Sequence, residues 1–594
     1  MAPSAVSPPS SPSISSVPKI LVPEKVSAEG LALLRAQYEV DTRPGLSADE
    51  LLALIPAYQG LIVRSETKVT AAVLAAGVRL RVVARAGVGV DNIDVDAATG
   101  LGVIVVNSPS GNILAAAEHT VALLLATARN VGRADASLKG GKWERSKLVG
   151  VEVGGKTLGI IGLGKVGMKV ARMAIGLGMK VAALDPYASP DVAKQAGVQL
   201  VGSLDALLPV VDFLTIHTPL LASTLNLLGE AEFRKMKASA RVLNVARGGV
   251  YNEEALLKAL DEGWIAGAGI DVFTAEPPLP DSAPARLAAH PKVVSTPHLG
   301  ASTVEAQENV SMDVCTQVLE ILSGGLPTAA VNAPLILPEE YRRLQPFVRL
   351  VERMGSLYTQ HFAGGRGGMV GGRRFELVYR GELAGVGNTR PLFAALVKGL
   401  VSSISDAGGR DVNIVNATLI AKERGIAIDE RHVRDAEPTS TYASLVTLRS
   451  LQIDGSAEQV IEGYVSGKAI FISKLDRFTA NFHPEGTLLV LHNYDEPGKI
   501  GNVGMVLGRH GINITFMQVA GLNQQAKEAA AAAAASTVGS VADGPVEDES
   551  ESRSVLYVTK EALMILGVDG EVTTDVIDDL KTSEGILNVS VVKL

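Results

Sequence analysis

The chain has 594 residues, enough for three or four domains with separate cores. Its net charge of −8, with no basic stripe interleaved by aromatics, argues against a nucleic-acid partner, and no apolar run approaches the ~20 residues needed to cross a membrane. Cys315 is the only cysteine, so an intrachain disulfide is excluded and a reducing, cytoplasmic setting is expected. Nothing in the composition points to a metal site.

The opening residues 1–17 are rich in Ser and Pro, lack an apolar h-region and carry no arginine. A short disordered tail is expected there rather than a secretory or transit peptide. From about residue 18, KILVP, LALLRAQY, LIVRS, LRVVARAG and GVIVVN alternate β-like runs with amphipathic helices, the pattern of an α/β unit with a parallel sheet. AAAEHTVALLLATARN then reads as a long apolar helix leading to the next domain.

There, KTLGII has strand character, GLGKVG follows at 162–167, and MKVARMAIGLG is apolar at helical spacing, with Gly178 at the helix end. With 61 glycines in the chain, three at this spacing arise by chance about 0.6 times, so the strand, turn and helix around the motif carry its meaning. Gly162 permits the turn, Gly164 lets backbone approach a pyrophosphate at the helix N-terminus, and Gly167 lets helix pack on strand. The next run, KVAALD, ends in Asp185, eighteen residues beyond Gly167, where an acid accepts from a ribose 2′-hydroxyl and repels a 2′-phosphate. NAD is therefore expected over NADP.

Three further residues fall after β-like runs: Arg247 in LNVARGG, Glu276 in DVFTAEPP and His298 in STPHLG. Oxidising a 2-hydroxy acid needs a base for the hydroxyl proton and a cation for the carboxylate. His298 is read as that base. Glu276 is its partner, since a carboxylate beside an imidazole favours the imidazolium and fixes the tautomer. Arg247 is read as the carboxylate fork, with a surface arginine at a strand end as the alternative. TVEAQENVSMDVCTQVLEILSGG reads as a long helix returning to the first domain.

Beyond VNAPLILP, residues 339–485 mix helical and strand patterns around AGGRGGMVGGRR, expected to be a flexible loop. The last hundred residues read as βαββαβ: TLLVLHN, KIGNVGMVLGRHG, INITFMQVAG, SVLYVTK, VTTDVIDDLKT and ILNVSVVKL. An Ala-rich then acidic insert at 523–553 interrupts it and is expected to be disordered.

GLGKVG with Asp185, NVARGG, DVFTAEPP and TPHLGAST, together with RSETKV, RAGVGVDNIDV and AAAEHT, resemble the D-isomer-specific 2-hydroxyacid dehydrogenase family in its long form. The resemblance implies a Rossmann-type doubly wound NAD-binding domain (117–302) inserted in a flavodoxin-like substrate domain (18–116 and 303–330). An α+β intervening domain (331–485) and a C-terminal ACT-like regulatory domain (486–594) would follow. It implies an enzyme with Arg247, Glu276 and His298 as catalytic residues and cofactor contacts at Gly162, Gly164, Lys165, Val166, Gly167, Asp185, Thr218, Ala246, Asp271 and Gly300. It further implies a phosphorylated substrate held by Arg64, Ser65, Arg85, Gly87 and Asn112, with Arg145 reaching a neighbouring subunit of a homodimer or homotetramer. The reaction implied is NAD-dependent oxidation of 3-phospho-D-glycerate to 3-phosphohydroxypyruvate, which opens L-serine synthesis. A serine effector at Asn493, Asp495 and Asn513 is implied as well, although the residue types there depart from the better-known pattern. The alternatives are a hydroxypyruvate, glyoxylate or glycerate reductase of the same family, or a nucleotide-sensing corepressor on the same fold.

Overall fold

The computed structural model describes residues 17–334, 336–363, 373–402, 412–434, 442–451, 458–522 and 560–594. The Ser/Pro tail up to residue 16, most of the Gly/Arg-rich stretch and the insert from 523 lie outside the described residues. Contacts divide the chain into two compact units, one built chiefly from residues up to Leu322 and the other chiefly from Ser323 onward.

Strands β1 (Lys19–Val22), β2 (Glu39–Thr42), β3 (Gly60–Val63), β4 (Val82–Arg85) and β5 (Ile104–Asn107) form one sheet in the order β2-β1-β3-β4-β5. β1 pairs parallel with β2 and β3. The run LIVRS is buried throughout β3, as expected of a strand covered on both faces. That sheet order is the flavodoxin-like one. The helix Val304–Leu322 returns to this sheet and packs on the helix Ala28–Arg35, so closely that a Cβ on Gly30 would lie 3.0 Å from Cys315 Sγ.

A second sheet takes β6 (Thr157–Ile161), β7 (Lys180–Leu184), β8 (Val198–Leu200), β9 (Phe213–Ile216), β10 (Arg241–Asn244), β11 (Gly267–Ile270) and β12 (Val293–Ser295), all parallel, in the order β12-β11-β10-β9-β6-β7-β8. The order reverses at β6, which pairs with both β7 and β9. In doubly wound sheets a ligand crevice opens at such a switch point, beyond the carboxyl ends of the strands. The sequence places GLGKVG there.

In the other unit, β13 (Arg374–Gly381), β14 (Ala427–Val433), β15 (Ser444–Leu451), β16 (Gln459–Ser466), β17 (Ala469–Leu475) and β18 (Phe478–Phe482) form a six-stranded mixed sheet, ordered β14-β13-β15-β16-β17-β18. Against it packs the helix Pro338–Tyr358, which crosses the helix Arg390–Val401 where small residues permit close approach: a Cβ on Gly399 would lie 2.1 Å from Glu352 O. The chain ends in the expected βαββαβ unit, with β19 (Thr487–Tyr494), β20 (Ile514–Gly521), β21 (Glu561–Val568) and β22 (Ile586–Lys593) in the order β20-β21-β19-β22. The third described strand is EALMILGV, and the expected run SVLYVTK lies, up to residue 559, outside the described residues. EALMILGV has few β-branched residues, so local propensity passes it over, yet seven of its eight positions are buried between β19 and β20.

Candidate active site

The glycine loop runs from the end of β6 into the helix Lys165–Gly176. Gly162 has φ +89°, and a Cβ there would lie 2.7 Å from His217 O, so only glycine fits. On Gly167 a Cβ would lie 2.1 Å from Gly162 O. On Gly164 it would meet nothing within 4 Å, which leaves the helix N-terminus open to an anion. Asp185 follows β7, and its two oxygens accept from Leu163 N at 2.7 Å and Tyr187 N at 2.8 Å, fixing it beside the loop. Across the crevice Thr218 Oγ1 is buried without a hydrogen-bond partner. An orphaned hydroxyl, an open helix terminus and a ribose-height carboxylate fit a dinucleotide. Lys165 Nζ bonds Ser110 Oγ at 2.9 Å, Val166 packs on the domain core, and Ala246 N bonds Asn244 Oδ1 at 3.0 Å.

Beyond β11 and β12 stand Glu276 and His298. His298 Nδ1–H donates to Glu276 Oε2 at 2.7 Å, while the Phe273 amide donates to Oε1 at 3.0 Å. Burial alone raises the Glu276 carboxyl. The bonds from His298 and Phe273 outweigh it and hold the group below its ordinary value. With Nδ1 thus committed, Nε2 is the nitrogen left to exchange a proton. Both side chains line a hollow of about 420 Å³ together with Phe273, Pro277 and Thr296.

Asp271 lies beneath this pair and is 0% exposed. Its backbone carbonyl accepts from His298 N at 2.9 Å, and its carboxylate accepts from Leu299 N at 2.7 Å, Gly300 N at 2.9 Å and Thr296 Oγ1 at 2.6 Å. His119 Nε2 stands 3.2 Å from the same carboxylate. Burial again opposes the charge, and the bonds from His119, Thr296 and Leu299 overcome it, so the carboxyl is held below its usual range. Expected from the sequence as a cofactor contact, Asp271 in the structure ties down the loop that carries His298, whose own φ is +55°.

Arg85 closes β4, Arg64 follows the neighbouring strand β3, and Arg247 reaches the loop after β4, where a Cβ on Gly89 would lie 2.2 Å from its Nη2. The Arg85 guanidinium pKa is pulled down first by burial and then by the charges of Arg247 and, more weakly, Arg64, with Asp91 and Glu24 opposing. The Arg85 side chain crosses Gly87, where a Cβ would sit 1.9 Å from Nη1, and its Nε is buried without a partner. Arg247 Nε lies 3.4 Å from Asp91 Oδ2, and its Nη1 donates to Ala246 O at 2.7 Å. Ser65 is exposed beside Arg64, and Asn112 opens the helix Ile113–Ala128 without capping it. Arg145 is exposed on the 3₁₀ turn Arg145–Lys147 and makes none of these contacts.

Of the residues expected to meet an effector, Asn493 is buried in β19, its Nδ2 donating to Tyr494 O at 2.8 Å and its Oδ1 unpartnered. Asp495 N bonds Lys560 O at 2.7 Å, and Asn513 pairs through its amides with Asp569. Sequence reasoning missed Glu24, Asp91, Asn92 and His119. Each acts on a loop distant in sequence; Asp91 and Asn92 lay within RAGVGVDNIDV and His119 within AAAEHT, but nothing local marked what they would hold, and Glu24 lay in no motif at all.

A dinucleotide crevice beside a carboxylate–histidine pair and a guanidinium group supplies what hydride removal from a 2-hydroxy acid requires, and residues 121–300 match the D-isomer specific 2-hydroxyacid dehydrogenase, NAD binding domain. The cofactor is NAD. Residues 343–471 match the D-3-phosphoglycerate dehydrogenase intervening domain. The chain is 44% identical over 513 residues to D-3-phosphoglycerate dehydrogenase 3, chloroplastic, of Arabidopsis thaliana, covering 84% of this chain and 85% of that protein. To the D-3-phosphoglycerate dehydrogenase of Archaeoglobus fulgidus it is 38% identical over 577 residues, covering 97% of this chain and all of that one. The chain belongs to the D-3-phosphoglycerate dehydrogenase family.

Proposed function

We propose that the chain catalyses NAD-dependent oxidation of 3-phospho-D-glycerate to 3-phosphohydroxypyruvate, the first step of L-serine biosynthesis. The observation that carries this reading is that the Arg85 and Arg247 side chains cross Gly87 and Gly89 of one loop, where added Cβ atoms would lie 1.9 Å and 2.2 Å from their guanidinium nitrogens, with Arg64 just beyond the neighbouring strand β3. A substrate bearing a carboxylate and a phosphate of nearly two charges matches three cations. His298 Nε2 takes the proton from the C2 hydroxyl, Glu276 holds Nδ1–H and supports the imidazolium, and Arg247 forks the carboxylate and stabilises the developing carbonyl oxygen. Arg64, Ser65, Arg85, Gly87 and Asn112 hold the phosphate end, with the unpartnered Arg85 Nε as a donor in waiting. Bound NAD supplies the hydride acceptor. Gly162, Gly164, Gly167, Asp185 and Thr218 hold it, and the Asp185 carboxylate turns away a 2′-phosphate.

Initial rates with NAD test the reading, using 3-phosphoglycerate beside D-glycerate, and glyoxylate, hydroxypyruvate and 2-oxoglutarate with NADH. Turnover of an unphosphorylated acid without turnover of 3-phosphoglycerate overturns it.

The domain division expected from the sequence goes with this reading, the match of residues 343–471 supporting an intervening domain. A homo-oligomer is supported by the apolar groove between the helices Ile113–Ala128 and Val131–Lys139, with Val131, Leu138 and Trp143 exposed nearby. Light scattering that finds only monomer counts against it. Serine as effector of the βαββαβ unit is tested by millimolar serine in the same assay. No helix among the described residues is long and apolar enough to cross a membrane. A cytoplasmic site remains our reading of the single buried cysteine, to be checked by fractionation, and the Arabidopsis thaliana relatives carry the word chloroplastic in their names.

A further inference from the structure

Arg64, Glu24 and Arg85 stand at or just beyond the carboxyl ends of the neighbouring strands β3, β1 and β4, so a buried carboxylate sits among the guanidiniums meant for a phosphate. Glu24 is 7% exposed. Its Oε1 accepts from Arg64 N at 2.8 Å and Thr67 N at 3.0 Å, and its Oε2 from Glu66 N at 3.2 Å. The same short loop is held by its carbonyls from the other side: Asn92 Nδ2 donates to Arg64 O at 2.9 Å and Thr67 O at 2.7 Å. A run of successive backbone amides is a common cradle for phosphate. Here three of the four amides of the loop, those of Arg64, Glu66 and Thr67, are instead turned inward onto an internal carboxylate.

We propose that Glu24 and Asn92 are positioning residues for phosphate recognition: they clamp the loop Arg64–Thr67 by its amides and carbonyls, so that it presents the Arg64 and Ser65 side chains rather than its backbone to the substrate phosphate. The proposal rests on the reading above that the substrate is phosphorylated. Neither residue touches the reacting atoms. Asn92 also adjoins Asp91, the counter-ion of Arg247, so consecutive residues fasten the phosphate loop and the carboxylate fork. A buried carboxylate accepting three amide bonds cannot be replaced by an amide without setting N–H against N–H. The Glu24→Gln change, which keeps the volume, therefore releases the loop.

The experiment compares wild type, Glu24→Gln and Asn92→Ala with NAD and either 3-phosphoglycerate or D-glycerate, beside thermal unfolding and NADH titration. The clamp predicts that KM for 3-phosphoglycerate rises on the order of tenfold in both variants, with kcat nearly kept and with the D-glycerate parameters unmoved. Equal losses with both acids mean a merely structural role, and unchanged KM for 3-phosphoglycerate overturns the proposal outright. Absence of wild-type turnover with 3-phosphoglycerate is a different failure, that of the substrate reading. Hydrogen exchange of the wild type needs no variant: the amides of Arg64, Glu66 and Thr67 are to be protected without ligand and unchanged by 3-phosphoglycerate. Amides that exchange freely until 3-phosphoglycerate is added overturn the clamp.

Discussion

Glu276 Oε2 lies 2.7 Å from His298 Nδ1, and this bond leaves the histidine with one functional nitrogen. Its partners descend from two strand ends, β11 and β12, that pair in the sheet. Removing the imidazole removes the proton acceptor but leaves the glycine loop and Asp185 in place. His298→Ala is expected to lower kcat by about 10²–10⁴-fold while NADH still binds with its native affinity by fluorescence titration. Loss of NADH binding would mean that the residue holds the crevice together instead.

Glu276 also makes a pH prediction. Its carboxyl is held below the ordinary value of 4.5 in the folded state, because the bonds from His298 and Phe273 outweigh burial. A group depressed on folding stabilises the protein above its unfolded pKa, and that contribution disappears as pH falls through the folded one. Denaturant unfolding of wild type and Glu276→Gln is thus expected to show a stability gap that is constant near neutrality and closes below about pH 4.5. A gap that widens on acidification has the wrong sign. The residue is about a third exposed, so the gap is expected to be small.

Gly164 and Gly167, three residues apart at the start of the helix Lys165–Gly176, carry opposite expectations. A Cβ on Gly164 meets nothing within 4 Å, whereas one on Gly167 lies 2.1 Å from the Gly162 carbonyl oxygen. Gly164→Ala should keep its melting temperature and weaken NAD binding, because the new methyl stands where a pyrophosphate approaches. Gly167→Ala should lose about 1–3 kcal/mol of stability, since backbone cannot retreat as a flexible side chain does. Calorimetry with and without NAD separates the two.

Asp185 is expected to set cofactor choice. Asp185→Ala removes both the acceptor for a ribose hydroxyl and the charge that repels a 2′-phosphate. The ratio of kcat/KM for NAD over that for NADP should fall by about tenfold or more. An unchanged ratio would place discrimination elsewhere.

Much of this was legible in the sequence, for a physical reason. The doubly wound sheet announces itself because β6, the loop and the helix Lys165–Gly176 are contiguous, and contiguous segments carry periodicity. Even β3 and β4 stand out, being buried on both faces. The strand Glu39–Thr42 does not, because none of its four residues is fully buried and it lies at a sheet edge. The same distinction governs the site. Arg247, Glu276 and His298 follow strands and so inherit a recognisable setting, whereas Glu24 meets its amides 40 to 43 positions away and Asp271 meets His119 across 152. A lone carboxylate in a loop has no local signature of what it will hold.

The single thiol has a use that its burial creates. Cys315 is fully enclosed between the helices Val304–Leu322 and Ala28–Arg35, and that enclosure pushes its pKa up to about 12. A maleimide can therefore modify the protein only in moments when those helices part. The chain carries its own stopwatch for that separation, read without introducing a label, and its rate with and without NAD and substrate times how often the first sheet sheds its returning helix.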